Sequence, residues 1–144
     1  METKPNRWEV DDAYASRNKF KKFSERHGRE YDSLFANLDK ILDILNSGHK
    51  VGSFGVGFFR SESDGVFRIG QKHFPGAKES RLYVYPDPQT LKVYLLGIGT
   101  KETQSDDINE AKKTVEVIRA GGQANEHVPN SGGGGSSTSG KPAS

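Results

Sequence analysis

The chain has 144 residues, of which 32% are hydrophobic and 28% are charged, and its formal net charge is +2. This length predicts one domain plus tails, and the net charge is too weak to indicate a nucleic-acid-binding protein without a local concentration of charge. The chain has no cysteine, which excludes disulfides, thiol catalysis and cysteine metal sites.

No apolar run approaches the roughly 20 residues that a membrane helix needs. No signal-peptide core follows the first five residues. We therefore expect a cytoplasmic protein that makes no contact with a membrane.

Two helices are predicted in the first third of the chain, after a polar segment, residues 1–10, that we expect to be loosely ordered. The first helix is capped by Asp11 or Asp12 and runs to about His27. One side of it is strongly basic: Arg17, Lys19, Lys21, Lys22 and Arg26. In the second helix apolar residues recur at helical spacing from Tyr31 to Leu45, and Gly48 ends it. The short break between the two predicts a helical hairpin.

Four strands follow, each a short run of β-branched, aromatic or leucine residues between turn residues. The first covers residues 51–60 and is weakened by its glycines. The other three are Val66–Ile69, Arg81–Tyr85 and Leu91–Ile98. Residues 86–90 predict a hairpin turn, and the long basic loop of residues 70–80 is a common type of functional segment.

A third helix is predicted after the last strand. Residues 103–107 supply caps and an acidic first turn, and Ile108, Ala111, Val115 and Ile118 form its apolar side. Gly121 and Gly122 end it. The sequence thus predicts an α+β fold of order ααββββα, with two helices on a mainly antiparallel sheet. The domain spans residues 11–120, and residues 121–144 form a flexible Gly/Ser-rich tail.

The predicted sheet has one notable face. Because side chains alternate along a strand, Arg81, Tyr83 and Tyr85 share one side of their strand. Between Lys50 and Arg81 there are six basic residues and three acidic ones. Arginines beside tyrosines suit a polyanion such as RNA. The alternative is the solvated outer face of an ordinary sheet.

Several chemistries lack their sequence signature. The glycines of residues 52–57 do not have the spacing of a phosphate-binding loop, and the four histidines are too dispersed for a metal site. We therefore expect no cofactor and no metal. Metal-free RNA cleavage needs cations for the phosphate, a proton carrier and a ring for a base. The candidates are Arg68, Lys72, His73, Lys78, Arg81, Tyr83 and Lys101.

Four segments in this order resemble the RelE/ParE superfamily of toxins from type II toxin–antitoxin systems. They are Val66–Ile69 (VFRI), Arg81–Tyr85 (RLYVY), Leu95–Lys101 (LLGIGTK) and Glu110–Lys113 (EAKK). The resemblance covers about residues 13–120. It rests on the order of the elements more than on any single motif.

In RelE-like members the resemblance implies a ribosome-dependent mRNA endoribonuclease that inhibits translation and is neutralised by an antitoxin protein. The phosphate-binding arginine corresponds to Arg81 and the basic residue after the last strand to Lys101. The preceding basic cluster corresponds to Arg68 and Lys72. The expected partners are therefore a cognate antitoxin, the ribosome and mRNA.

The expected mechanism is attack of a ribose 2′-hydroxyl on the phosphate, with Arg81 and Lys101 holding the phosphate and Lys72 or His73 moving protons. RNA binding falls to Arg68, Lys78, Tyr83 and Tyr85. The chain departs from the family where RelE has a tyrosine, because it reads Thr-Gln-Ser-Asp-Asp at residues 103–107. The alternative is therefore a non-catalytic protein of this fold: a ParE-like gyrase poison, or a degenerate toxin that only binds its antitoxin.

Overall fold

A computed structural model of the chain describes residues 7–121. It contains β1 (Glu9–Asp11), α1 (Arg17–Arg26), α2 (Gly28–Asn46), β2 (Phe59–Ser63), β3 (Val66–Gly70), β4 (Ser80–Asp87), β5 (Lys92–Thr100), a 3₁₀ turn (Lys101–Thr103) and α3 (Gln104–Arg119). The predicted α+β class is confirmed. The prediction of a flexible tail falls on residues 122–144, which lie outside the described part, as do residues 1–6. Within residues 7–121 no helix is both long and apolar enough to cross a bilayer.

The sheet has five strands rather than four, in the order β1-β5-β4-β3-β2. The additional strand is β1, which pairs parallel to β5 with Val10 opposite Val93, while the other pairs are antiparallel. Lys92 Nζ lies 3.1 Å from Asp11 Oδ2, 81 residues away in the chain. The prediction that residues 1–10 are loosely ordered is therefore wrong for Glu9 and Val10, because a strand of three residues is too short to show a pattern of its own.

Two further boundaries differ from the predictions. Helix α1 begins at Arg17, and its N-cap is Ser16, whose hydroxyl accepts a hydrogen bond from the Lys19 amide at 3.3 Å. Asp11, one of the two predicted caps, belongs to β1 instead. The strand predicted over residues 51–60 begins only at Phe59, because the preceding glycine-rich segment forms turns, with a left-handed φ of 83° at Gly52.

The sheet is covered on both faces. Leu82 and Val84 of β4 belong to a core with Phe20 of α1 and Leu34 of α2. The alternate residues of β4, Tyr83 and Tyr85, belong to a second core. This core also contains Ala111 and Val115 of α3. The prediction that Arg81, Tyr83 and Tyr85 form an open face is therefore wrong, because α3 packs on that side of β4.

A bulge in β5 keeps both faces in register. Tyr83 is opposite Gly97 and Val84 is opposite Leu95, so Leu96 is the extra residue. Leu96 lies in the core under α3, whereas Leu95 lies in the core under α1 and α2. The bulge thus supplies one more apolar side chain to the face that α3 covers.

Candidate nucleic-acid interface

A groove of about 580 Å³ lies at the edge of the sheet near the start of α3. Its cationic side chains come from three strands: Arg60 of β2, Arg68 of β3 and Arg81 of β4. His73, from the loop between β3 and β4, lines it as well. We call this the arginine groove. Its lining carries three arginines against one carboxylate, Glu79, so it suits an anion.

The strand register brings the arginines together. Arg60 is directly opposite Arg68, and Arg68 is opposite Tyr83. Arg81 is opposite Gly70 and therefore diagonal to Arg68, at the roughly 7–8 Å typical of such pairs. Like charges directly opposite each other destabilise a sheet. An anion placed between Arg60 and Arg68 would relieve that repulsion.

Neutral and acidic acceptors hold two of the arginines in place. Arg81 Nε donates to Gln104 Oε1 at 2.5 Å, and its Nη2 lies 3.1 Å from Glu79 Oε2. Arg68 Nε lies 3.2 Å from Glu62, and its Nη1 donates to the same Gln104 oxygen at 3.5 Å. The hydrogen bond and the charge of Arg81 keep the pKa of Glu79 below its ordinary value. Glu79 is therefore ionised at neutral pH.

Hydrogen bonds from α2 fix the loop that carries His73. The buried carboxylate of Glu30 accepts from the Lys78 amide at 2.7 Å, and the Ser33 hydroxyl accepts from the Lys72 amide at 2.7 Å. At the start of the loop, Asn37 Nδ2 donates to the Gly70 carbonyl at 2.8 Å. These bonds set the position of His73 relative to the arginines.

The structure gathers some of the predicted site residues and separates others. Arg68, Arg81 and His73 all line the arginine groove. Lys101 is exposed beside it, with Nζ 3.8 Å from Glu79 Oε1. Lys72 is exposed but is absent from the groove lining. Lys78 faces a second groove, beside α1.

The two predicted base-stacking tyrosines are covered. Tyr83 is 0% exposed, and burial raises the pKa of its hydroxyl far above the ordinary value of 10. That hydroxyl has no hydrogen-bond partner among residues 7–121. Tyr85 stacks on Tyr94 and lies under the guanidinium of Arg119, at the other end of α3. Stacking of an RNA base on either ring is therefore excluded in this conformation.

The sequence analysis missed Arg60, which lines the groove, and Gln104, which accepts from two of its arginines. The Asp64-Gly65 pair could have identified Arg60, because this dipeptide is typical of a hairpin turn between two strands. Its left-handed φ values of 53° and 89° join β2 to β3 and place Arg60 opposite Arg68. Gln104 has no such signal, because its role depends on where α3 packs.

Chemically, the arginine groove offers bidentate donors for a phosphate and one imidazole, a side chain that can act in proton transfer. Within residues 7–121, no three histidine or carboxylate side chains are grouped so as to hold a metal ion. Comparison of the chain with protein-family models, with curated proteins and with solved structures found no match.

Proposed function

We propose that the chain is a RelE-type toxin that binds mRNA in the arginine groove and cleaves it on the ribosome. The observation that supports this function is the meeting of Arg60, Arg68, Arg81 and His73 in one groove. Metal-free phosphodiester cleavage needs this combination of phosphate donors and a proton carrier.

In the proposed reaction the ribose 2′-oxygen attacks the neighbouring phosphorus and loses its proton, and the bond to the 5′-oxygen breaks. The products are a 2′,3′-cyclic phosphate and a 5′-hydroxyl. The arginines stabilise the negative charge that builds on the non-bridging oxygens. His73 accepts the proton from the 2′-oxygen, the departing 5′-oxygen takes up a proton from water, and Lys101 adds positive charge at the edge of the groove.

Arg81 holds its place through Gln104 and Glu79 and is only 8% exposed. It therefore contributes to folding as well as to phosphate binding, and its truncation is a poor test of function. Arg60 is exposed and forms no ion pair with any residue of the described range. It is the better probe.

The test is primer extension on a reporter mRNA from cells briefly induced for Arg60→Gln, His73→Gln or the unchanged protein. Arg17→Gln serves as the control, because it removes the same charge from α1, outside the groove. We expect translation-dependent cuts from the unchanged protein and the control, and a loss of at least about tenfold in each groove variant. Equal cutting by all four proteins contradicts the proposal.

A non-catalytic binding protein is the second candidate. It is favoured by the covered tyrosines and by the acceptors that already engage Arg68 and Arg81. The same experiment separates the candidates. Intact mRNA with arrested growth indicates a gyrase poison, and intact mRNA with normal growth indicates a degenerate toxin that only binds its antitoxin.

A further inference from the structure

A second basic groove, of about 470 Å³, lies between α1, the end of β5 and the start of α3. Its basic side chains are Lys19, Lys22 and Arg26 of α1 and Lys78 of the loop before β4. We call this the lysine groove. The carboxylates in its lining are Glu102 and Asp107, so four cations stand against two anions.

The three α1 cations of the lysine groove form no ion pair among residues 7–121, although the charge of Lys19 acts on Asp107. Lys19, Lys22 and Arg26 lie three and four residues apart, so they share one side of the helix. All three are exposed, and none pairs with a carboxylate among residues 7–121. In the arginine groove, by contrast, Arg68 and Arg81 have acidic partners. These exposed cations without ion pairs are complementary to an external polyanion.

The two grooves are neighbours across the ladder of β4 and β5. Arg81 lines the arginine groove, and its cross-strand partner Gly99 lines the lysine groove. In the same way Ser80 lines the arginine groove, and its cross-strand partner Thr100 lines the lysine groove. Adjacent strands lie about 5 Å apart. A nucleic-acid strand that occupied both grooves would therefore need only a few nucleotides between them.

Asp107, one of the carboxylates in the lining of the lysine groove, favours RNA over a polyanion without hydroxyl groups. Asp107 is half-buried against Gly99 and accepts a hydrogen bond from the Thr103 hydroxyl at 2.6 Å. A carboxylate repels a phosphate group but accepts a hydrogen bond from a hydroxyl group. RNA presents both groups, with a 2′-hydroxyl donor next to each phosphate, so an RNA strand bound here would place its phosphates at α1 and a ribose at Asp107.

We propose that the lysine groove is a second phosphate-binding site, which holds the RNA strand where it leaves the arginine groove. This inference rests on the proposed function. The contacts are to the backbone, because lysines bind phosphates as point charges and carry no base preference of their own.

The test measures binding of fluorescent single-stranded RNA by anisotropy, with one tetranucleotide and one strand of about 16 nucleotides. The groove variant is Lys19→Gln/Lys22→Gln/Arg26→Gln. The control, Arg17→Gln/Lys21→Gln/Lys40→Gln, loses the same formal charge from exposed positions of α1 and α2 outside both grooves. Gel analysis of each sample shows whether the RNA stays intact.

For the long strand we expect the groove variant to bind at least about tenfold more weakly than the control. The slope of log affinity against log salt should fall by about 2, which corresponds to three phosphate contacts at about 0.7 each. The tetranucleotide should bind both variants equally. Equal affinity of the two variants for the long strand overturns the inference, because net charge alone then explains any loss.

The outcomes also separate this inference from the proposed nuclease. If no mRNA is cut in cells but the groove variant loses the long strand, the nuclease fails and the second phosphate site stands. If mRNA is cut and the two variants bind alike, the nuclease stands and the second site fails.

Discussion

The two faces of the sheet differ in chemistry. The face under α1 and α2 is built from aliphatic residues and phenylalanine, such as Leu34, Leu82 and Phe20. The face under α3 holds two tyrosines of β4, and the charged or amide groups of Arg81, Gln104 and Asp107 lie at its edge. The difference indicates that the first face provides most of the stability and that the second positions the groups of both grooves.

The largest effect is expected on the apolar face. Leu82 is fully buried, so Leu82→Ala should lower the free energy of unfolding by about 3 kcal/mol, within the 2–5 usual for such cavities. Urea unfolding measures this loss. Val10→Ala is the control, because Val10 is 39% exposed and its change should stay within about 0.5 kcal/mol. A loss below about 1 kcal/mol for Leu82→Ala would show that this face is not the main source of stability.

On the face under α3 a smaller loss is expected from close packing. A Cβ at Gly99 would clash with the Asp107 carboxylate and lie 2.7 Å from the Thr103 hydroxyl. Gly99→Ala should therefore cost about 1–3 kcal/mol, as overpacking does. At Gly97 the nearest neighbour of a Cβ is Tyr83 Cδ2 at 4.0 Å, an ordinary contact, so Gly97→Ala is the matched control.

The double variant Gly99→Ala/Asp107→Ala identifies the cause of that loss. If the carboxylate is the obstacle, the double variant should recover most of the stability in urea unfolding, which is a favourable coupling energy between neighbours. No recovery would assign the loss to the backbone of β5.

The ionisation of Asp107 gives a pH-dependent effect. Burial raises the pKa of Asp107 above its ordinary value of 3.8, so the folded protein holds this proton to higher pH than the unfolded chain does. Stability from this group therefore falls as pH rises from 3.8 through the folded pKa, and the loss is complete above it. Asp107→Asn should raise the melting temperature slightly at pH 7, and the gain should vanish below pH 3.8. An equal gain at both pH values would contradict this linkage.

The smallest effect is expected at the hydroxyl of Tyr83. It is buried and has no partner among the described residues, so Tyr83→Phe removes a polar group whose burial is uncompensated. The free energy of unfolding should rise or change by less than about 0.5 kcal/mol. Tyr94→Phe provides a comparison in the same core. A loss above about 1 kcal/mol for Tyr83→Phe would reveal a water or partner on that oxygen.

The fold was predictable where a segment carries its own pattern. The stripe from Leu34 to Leu45 indicates α2, and the runs around Arg68, Val84 and Leu95 indicate three strands that the structure contains. Strand β1 was not predictable in this way, because three residues show no period and their partner, β5, is distant in the chain.

The candidate site was predictable only in part. Alternation correctly places Arg81 on the side of β4 opposite Leu82, but it does not show which side a later helix covers. Both sides of β4 are apolar enough to be buried, and a helix packs on each. Gly99 carried the missing signal, since glycine within a strand often marks the close approach of another element, here the start of α3.

Gln104 affects how strongly the arginine groove attracts an anion. Its one carbonyl oxygen accepts from both Arg68 and Arg81, and an amide is neutral. The two guanidinium groups are therefore oriented before a ligand arrives, and Gln104 adds no negative charge to that of Glu62 and Glu79. A glutamate at this position would orient them equally well but would cancel one of the charges that attract the ligand.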